Sequence, residues 1–86
     1  MPDKVLYRGV HEGIVEAVFI RDGEVILLQE GPEGPKGLRV FIDEKGEKGE
    51  AAAIRELALR IVMVGGRTDL ARTLGQYLTS DGPKED

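Results

Sequence analysis

The chain contains no cysteine, one histidine (His11) and one serine (Ser80). Without thiols, neither a disulfide nor a thiolate zinc site can brace the fold. A Ser-His-Asp constellation needs three groups held within hydrogen-bond reach, and the lone serine lies beside a frayed C-terminus. No apolar stretch approaches the roughly 20 residues of a membrane-spanning helix. The net charge of −4 speaks against non-specific nucleic-acid binding, which depends on Lys and Arg neutralising phosphates. The start, Met1-Pro2-Asp3-Lys4, has no signal-peptide character, so a cytoplasmic location is expected. These gaps together point to a protein that is not an enzyme.

At 86 residues the expectation is one small domain over 1–80, with a disordered acidic tail at 81–86. A domain of this size buries only about 60–65% of its unfolded surface. Tight packing, dimerisation or a bound hard cation would have to add stability. Charge is unevenly spread: −4 over residues 1–50, +2 over 51–80 and −2 in the tail. Arg55, Arg60, Arg67 and Arg72 in the basic part read as a solvated helical face.

What is present most clearly is a hairpin. Val15 to Arg21 and Glu24 to Glu30 are apolar runs joined by Asp22-Gly23, a pair suited to a type I′ turn because both positions need positive φ. This turn predicts Arg21 opposite Glu24, Ile20 opposite Val25, Phe19 opposite Ile26, Val18 opposite Leu27 and Ala17 opposite Leu28. Both faces of the hairpin are then apolar near the turn. A sheet with one face in water would alternate apolar and polar, so cover on both faces is expected: helices on one, another subunit on the other. Lys4–Val10 is a further candidate strand. Gly31 to Gly37 reads as a turn-rich connection, and Leu38 to Asp43 as a strand.

From Glu50 the periodicity becomes helical, with Ile54, Leu57, Ala58 and Ile61 on one face and Glu56 four residues before Arg60. Gly65-Gly66 ends this helix, with a short strand at Ile61–Val64 as the alternative reading. Thr68 as a capping hydroxyl and Asp69 near the positive helix end start a second helix. Leu70, Ala71, Leu74, Tyr77 and Leu78 form its inner stripe, and Gly75 marks a close helix contact. The expected class is α+β: a mostly antiparallel sheet of about four strands with two C-terminal helices packed on one face.

Candidate sites are few. Glu16 and Glu30 are acids near one end of the hairpin, where strands often carry charge for solubility. Asp43, Glu44, Glu47 and Glu50 place four carboxylates around Gly46 and Gly49. With only oxygen ligands on offer, a metal here would be Ca²⁺ or Mg²⁺. The spacing lacks the twelve-residue EF-hand pattern, so weak Ca²⁺ binding is the specific expectation. Glu47 followed by Arg55-Glu56-Leu57 resembles the middle of the Nudix box. That family's metal-binding glutamates one turn later are replaced by Leu59 and Arg60, and its glycine by Phe41, so the motif is rejected.

The run Glu16-Ala17-Val18-Phe19, then Asp22-Gly23, then Gly37-Leu38-Arg39-Val40-Phe41-Ile42 resembles small prokaryotic antitoxins over under half the chain. In that family a strand pair precedes a Gly-x-x-Val-x-Val strand and a toxin-binding tail. The chain departs from it at Leu27-Leu28, where a proline is usual, and in its two C-terminal helices. The resemblance implies a protein-binding role. The functional expectation is therefore a small acidic binding domain: calcium binding first, with a homodimer or antitoxin-like partner docked on an apolar sheet face as the alternative.

Overall fold

Three tight turns organise the first half of the chain. Glu12-Gly13 (φ 53° and 81°) and Asp22-Gly23 (φ 51° and 79°) both have positive φ at their two central positions. That geometry matches the right-handed twist of the strands it joins. The third turn uses Pro32, whose ring pre-sets φ, then Glu33, with Gly34 at φ 99° closing it. The result, in a computed structural model that describes residues 3–80, is a meander of four eight-residue strands: β1 (Lys4–His11), β2 (Ile14–Arg21), β3 (Glu24–Gly31) and β4 (Gly34–Phe41). All neighbours pair antiparallel in the order β1-β2-β3-β4.

The β2–β3 register is the one the Asp22-Gly23 turn predicts, from Arg21 opposite Glu24 to Ala17 opposite Leu28. The third connection is shorter than the sequence suggests. Gly34 already pairs with Gly31, so Pro35, Lys36 and Gly37 belong to β4 and not to a loop. Proline is tolerated there because β4 is an edge strand, where a ladder donor can be missing.

Helix α1 (Glu47–Gly65) follows a short link, and α2 (Thr68–Ser80) follows a bend. Gly66 adopts the left-handed conformation (φ 66°) and donates its N–H to the Val62 carbonyl at 2.8 Å, a termination suited to glycine. Ile61–Val64 is therefore helical, and the short-strand alternative does not occur. The first bond of α2 runs from the Ala71 N–H to the Arg67 carbonyl. Arg67 thus occupies the capping position and Thr68 is the first helical residue, contrary to the expected Thr68 cap.

Both helices cover one face of the sheet. Val18, Val25, Leu27 and Val40 meet Ala53, Ile54, Leu57 and Ile61 of α1 and Leu70 and Leu74 of α2 in one buried cluster. Each fully buried aliphatic side chain contributes about 1.5–3 kcal/mol relative to exposure. Ala58, Ala71, Tyr77 and Leu78 flank the cluster, so the expected helix faces are the ones used. Gly75 departs from expectation. It is exposed, and a Cβ there would meet nothing. The tail at 81–86 lies outside the described residues.

Candidate functional site

Strand alternation divides the side chains cleanly between two faces. Val18, Val25, Leu27 and Val40 point toward the helices, so their neighbours along each strand point away. The register then stacks the outer face in rows: Arg21, Glu24 and Phe41; Val5, Phe19, Ile26 and Arg39; Arg8, Ala17, Leu28 and Gly37; Val10, Val15, Glu30 and Pro35. Among the described residues, no helix crosses these rows. Val10 and Phe41 are each 69% exposed, Val15 53%, Val5 46% and Leu28 37%. Phe19 is buried even here, with the Arg21 guanidinium over its ring at 4.9 Å. Gly37 has no side chain to fill its place, and a depression of about 260 Å³ opens there, bordered by Ile26, Leu28, Pro35 and Arg39.

The sheet's edges are less inviting than its face. β1 is irregular between Val5 and Tyr7, where Leu6 has no partner in β2. β4 carries Pro35 and the charged Lys36 and Arg39. Bulges, proline and charge are the devices that discourage strand-to-strand pairing. The open surface is the face.

No protein-family model, curated protein or solved structure matches this chain.

On the helix-side face a second feature stands out. Glu16 is only 1% exposed. Its carboxylate accepts hydrogen bonds from Arg67 Nη1 (2.9 Å) and Nη2 (2.8 Å), Gln29 Nε2 (3.1 Å) and the Tyr7 hydroxyl (3.3 Å). Arg67 also donates from Nε and Nη2 to Asp69, both at 3.0 Å. The imidazole of His11 lies 3.7 Å from Asp69, an ion pair only when protonated. The bonds from Arg67 hold the Glu16 carboxyl below its ordinary value, outweighing the burial that would raise it. Asp69 falls to about 2, chiefly through the same guanidinium. Burial, then the Glu16 charge, pushes the Tyr7 phenol up.

A general acid at neutral pH needs its pKa raised; Glu16 is driven the other way and stays ionised. Its four bonds tie β1, β2 and β3 to the corner between the helices. The arrangement suits bracing. A groove of about 240 Å³ runs beside it, lined by Leu27, Gln29, Leu38, Ile61, Val64 and Arg67 among others.

Glu16 is thus not a solubility residue at a strand end, and Arg67 is not part of a solvated face. The clue in the sequence is the period of two, which puts Glu16 on the same side as Val18 and Ile20. Its partner, 51 residues away, leaves no local trace. Arg55, Arg60 and Arg72 are exposed as expected.

The four carboxylates of the metal expectation are distributed over two elements. Asp43 and Glu44 sit in the link after β4, whereas Glu47 and Glu50 occupy the first turn of α1. Glu50 lies 3.2 Å from the ammonium of Lys4. Among the described residues, no group of three or more acidic or histidine side chains is placed to hold a metal ion.

Proposed function

We propose that this chain is a binding module that works by burying its open sheet face against the surface of another protein. The observation supporting this reading is the exposure of Val5, Val10, Val15, Leu28 and Phe41, spread over all four rows of a face that no helix covers among the described residues. Contiguous apolar surface of this kind, rimmed by charge, is what interaction sites present. The rim here is Arg8, Arg21, Glu24, Glu30 and Arg39. Calcium binding by Asp43, Glu44, Glu47 and Glu50 draws no comparable support from the geometry.

The reading is checked by placing a benzophenone side chain at Val15 or Leu28 and, as a control, at Leu59 on the exposed side of α1. Irradiation in the producing cell should give discrete protein adducts from the two sheet positions and not from Leu59. Adding Leu28→Glu should suppress the Val15 adducts while leaving the circular dichroism unchanged. Adducts from Leu59 alone, or insensitivity to Leu28→Glu, would remove the proposal.

A further inference from the structure

We infer that the surface covering this face is a second copy of the same chain, related by a two-fold axis that runs parallel to the strands between β2 and β3. This rests on the association reading above and specifies its partner. A two-fold axis in that direction keeps each row at its own level and lays β2 of one copy over β3 of the other. The observed register then determines which residues meet.

The Phe19 position, already covered by the Arg21 guanidinium at 4.9 Å, lies over Ile26 of the second copy, and Ala17 faces Leu28, a small residue against a large one. Arg21 faces Glu24, and by symmetry Glu24 faces Arg21. Within its own chain Arg21 donates to Asp3 at 2.7 and 3.0 Å and Glu24 accepts from Arg39 at 3.3 Å, so the proposed contact joins these pairs into one network. Toward the edges, Arg8 faces the depression left by Gly37, and Val10 faces Pro35. Val15 meets Glu30 at the far end of the strands, where the exposed carboxylate can turn to water. The central rows are self-complementary in shape and charge, as a two-fold interface requires, while at the edge Val5 meets the stem of Arg39, whose guanidinium bonds Glu24 of its own chain.

The other in-plane axis, across the strands, gives a poorer match. It reverses the rows, putting Glu24 over Glu30 and Arg21 over Val15. Like charges would then meet, which is costly. Two sheets packed in the preferred way keep their strands within about 30° of each other, so the pairing near the axis survives the sheet twist.

The area is also adequate. Four eight-residue strands span a face of roughly 26 by 19 Å, and covering it on both copies buries on the order of 1,000 Å². That sits at the threshold of about 1,000 Å² for a biological interface and below the roughly 1,200–2,000 Å² of stable ones, so a weak dimer is expected. Face-to-face packing would close a sandwich whose outer layers are the helices. It also satisfies the sequence pattern in which β2 and β3 are apolar on both sides.

Sedimentation equilibrium on the full chain from about 1 to about 500 µM tests this, alone and with two charge variants. Arg21→Glu sets carboxylate against carboxylate across the axis, and Glu24→Arg sets guanidinium against guanidinium. Each variant alone should dimerise roughly tenfold more weakly. An equimolar mixture should recover much of the association, because its mixed dimer pairs the new carboxylate with the new guanidinium and keeps one native pair. Circular dichroism confirms that both variants are folded.

A wild-type chain that stays near 9.4 kDa throughout overturns the inference. If the Val15 and Leu28 adducts persist in that case, the binding reading stands with a different partner; if they are also missing, both fall. A wild-type dimer whose variants show no rescue on mixing overturns the two-fold geometry.

Discussion

Arg67 and Glu16 meet in a two-point ion pair, guanidinium to carboxylate, at 2.9 and 2.8 Å. The side chain of Glu16 is wholly buried and that of Arg67 is 16% exposed. The pair joins the middle of the sheet to the bend between the helices. Bidentate geometry is what makes arginine suited to this task.

Breaking a buried pair leaves its survivor uncompensated, at a cost of about 3–5 kcal/mol. Arg67→Met should lower stability by that amount at pH 7, read as a shift in the urea midpoint. Replacing both residues, as Glu16→Met/Arg67→Met, should restore more than half of the loss. A double variant no better than the single one would show that the pair itself, and not the orphaned charge, dominates.

The carboxylates bonded to Arg67 contribute to the acid response. Glu16 and Asp69 both titrate below their ordinary values of 4.5 and 3.8, Asp69 at about 2. A depressed carboxyl binds fewer protons folded than unfolded, so stability is complete above the unfolded values and falls as pH drops through the folded ones. The urea midpoint should hold from pH 7 to about 5 and decline steadily toward pH 2. In Arg67→Met the deficit relative to wild type should shrink across that range, since protonating Glu16 relieves its burial. A deficit independent of pH would contradict the assignment.

Leu57 is fully buried, and Leu59, two residues on, is 59% exposed. Leu57→Ala should cost about 2–5 kcal/mol by loss of burial and creation of a cavity. Leu59→Ala should stay within about 0.5 kcal/mol of wild type. Chemical denaturation of the two variants side by side checks whether α1 faces the sheet as described.

Two helical glycines should respond in opposite directions to alanine. A Cβ at Gly49 would collide with the Glu44 backbone carbonyl, where the link after β4 passes over the first turn of α1. Gly75 has open space around the same position. Gly49→Ala should destabilise despite the better helix propensity of alanine, whereas Gly75→Ala should stabilise by about 0.5–1 kcal/mol. Thermal melts of both variants report the signs.

The hairpin is legible in the sequence because a two-residue turn and a period of two are local rules. Once Asp22-Gly23 turns, every pair from Arg21–Glu24 outward follows. Helix faces are legible for the same reason, through Ile54, Leu57 and Ile61 in α1 and Leu70 and Leu74 in α2. The glycine-proline run after Gly31 reads as a loop, since composition does not show that Pro35 sits on an edge where its missing donor is harmless. Thr68 reads as a cap because Thr-Asp is a common helix start, yet the left-handed turn at Gly66 begins α2 from Arg67.

The amino-acid order alone determined an antiparallel sheet handing over to two amphipathic helices, because those patterns are written within a few residues of each other. Only the folded chain decided that Glu16 is a buried anchor for Arg67 and which residues of β1 and β4 complete the apolar face turned away from the helices. Both depend on which distant surfaces come together, and long-range packing, unlike a turn or a helical period, has no signature within a short window of sequence.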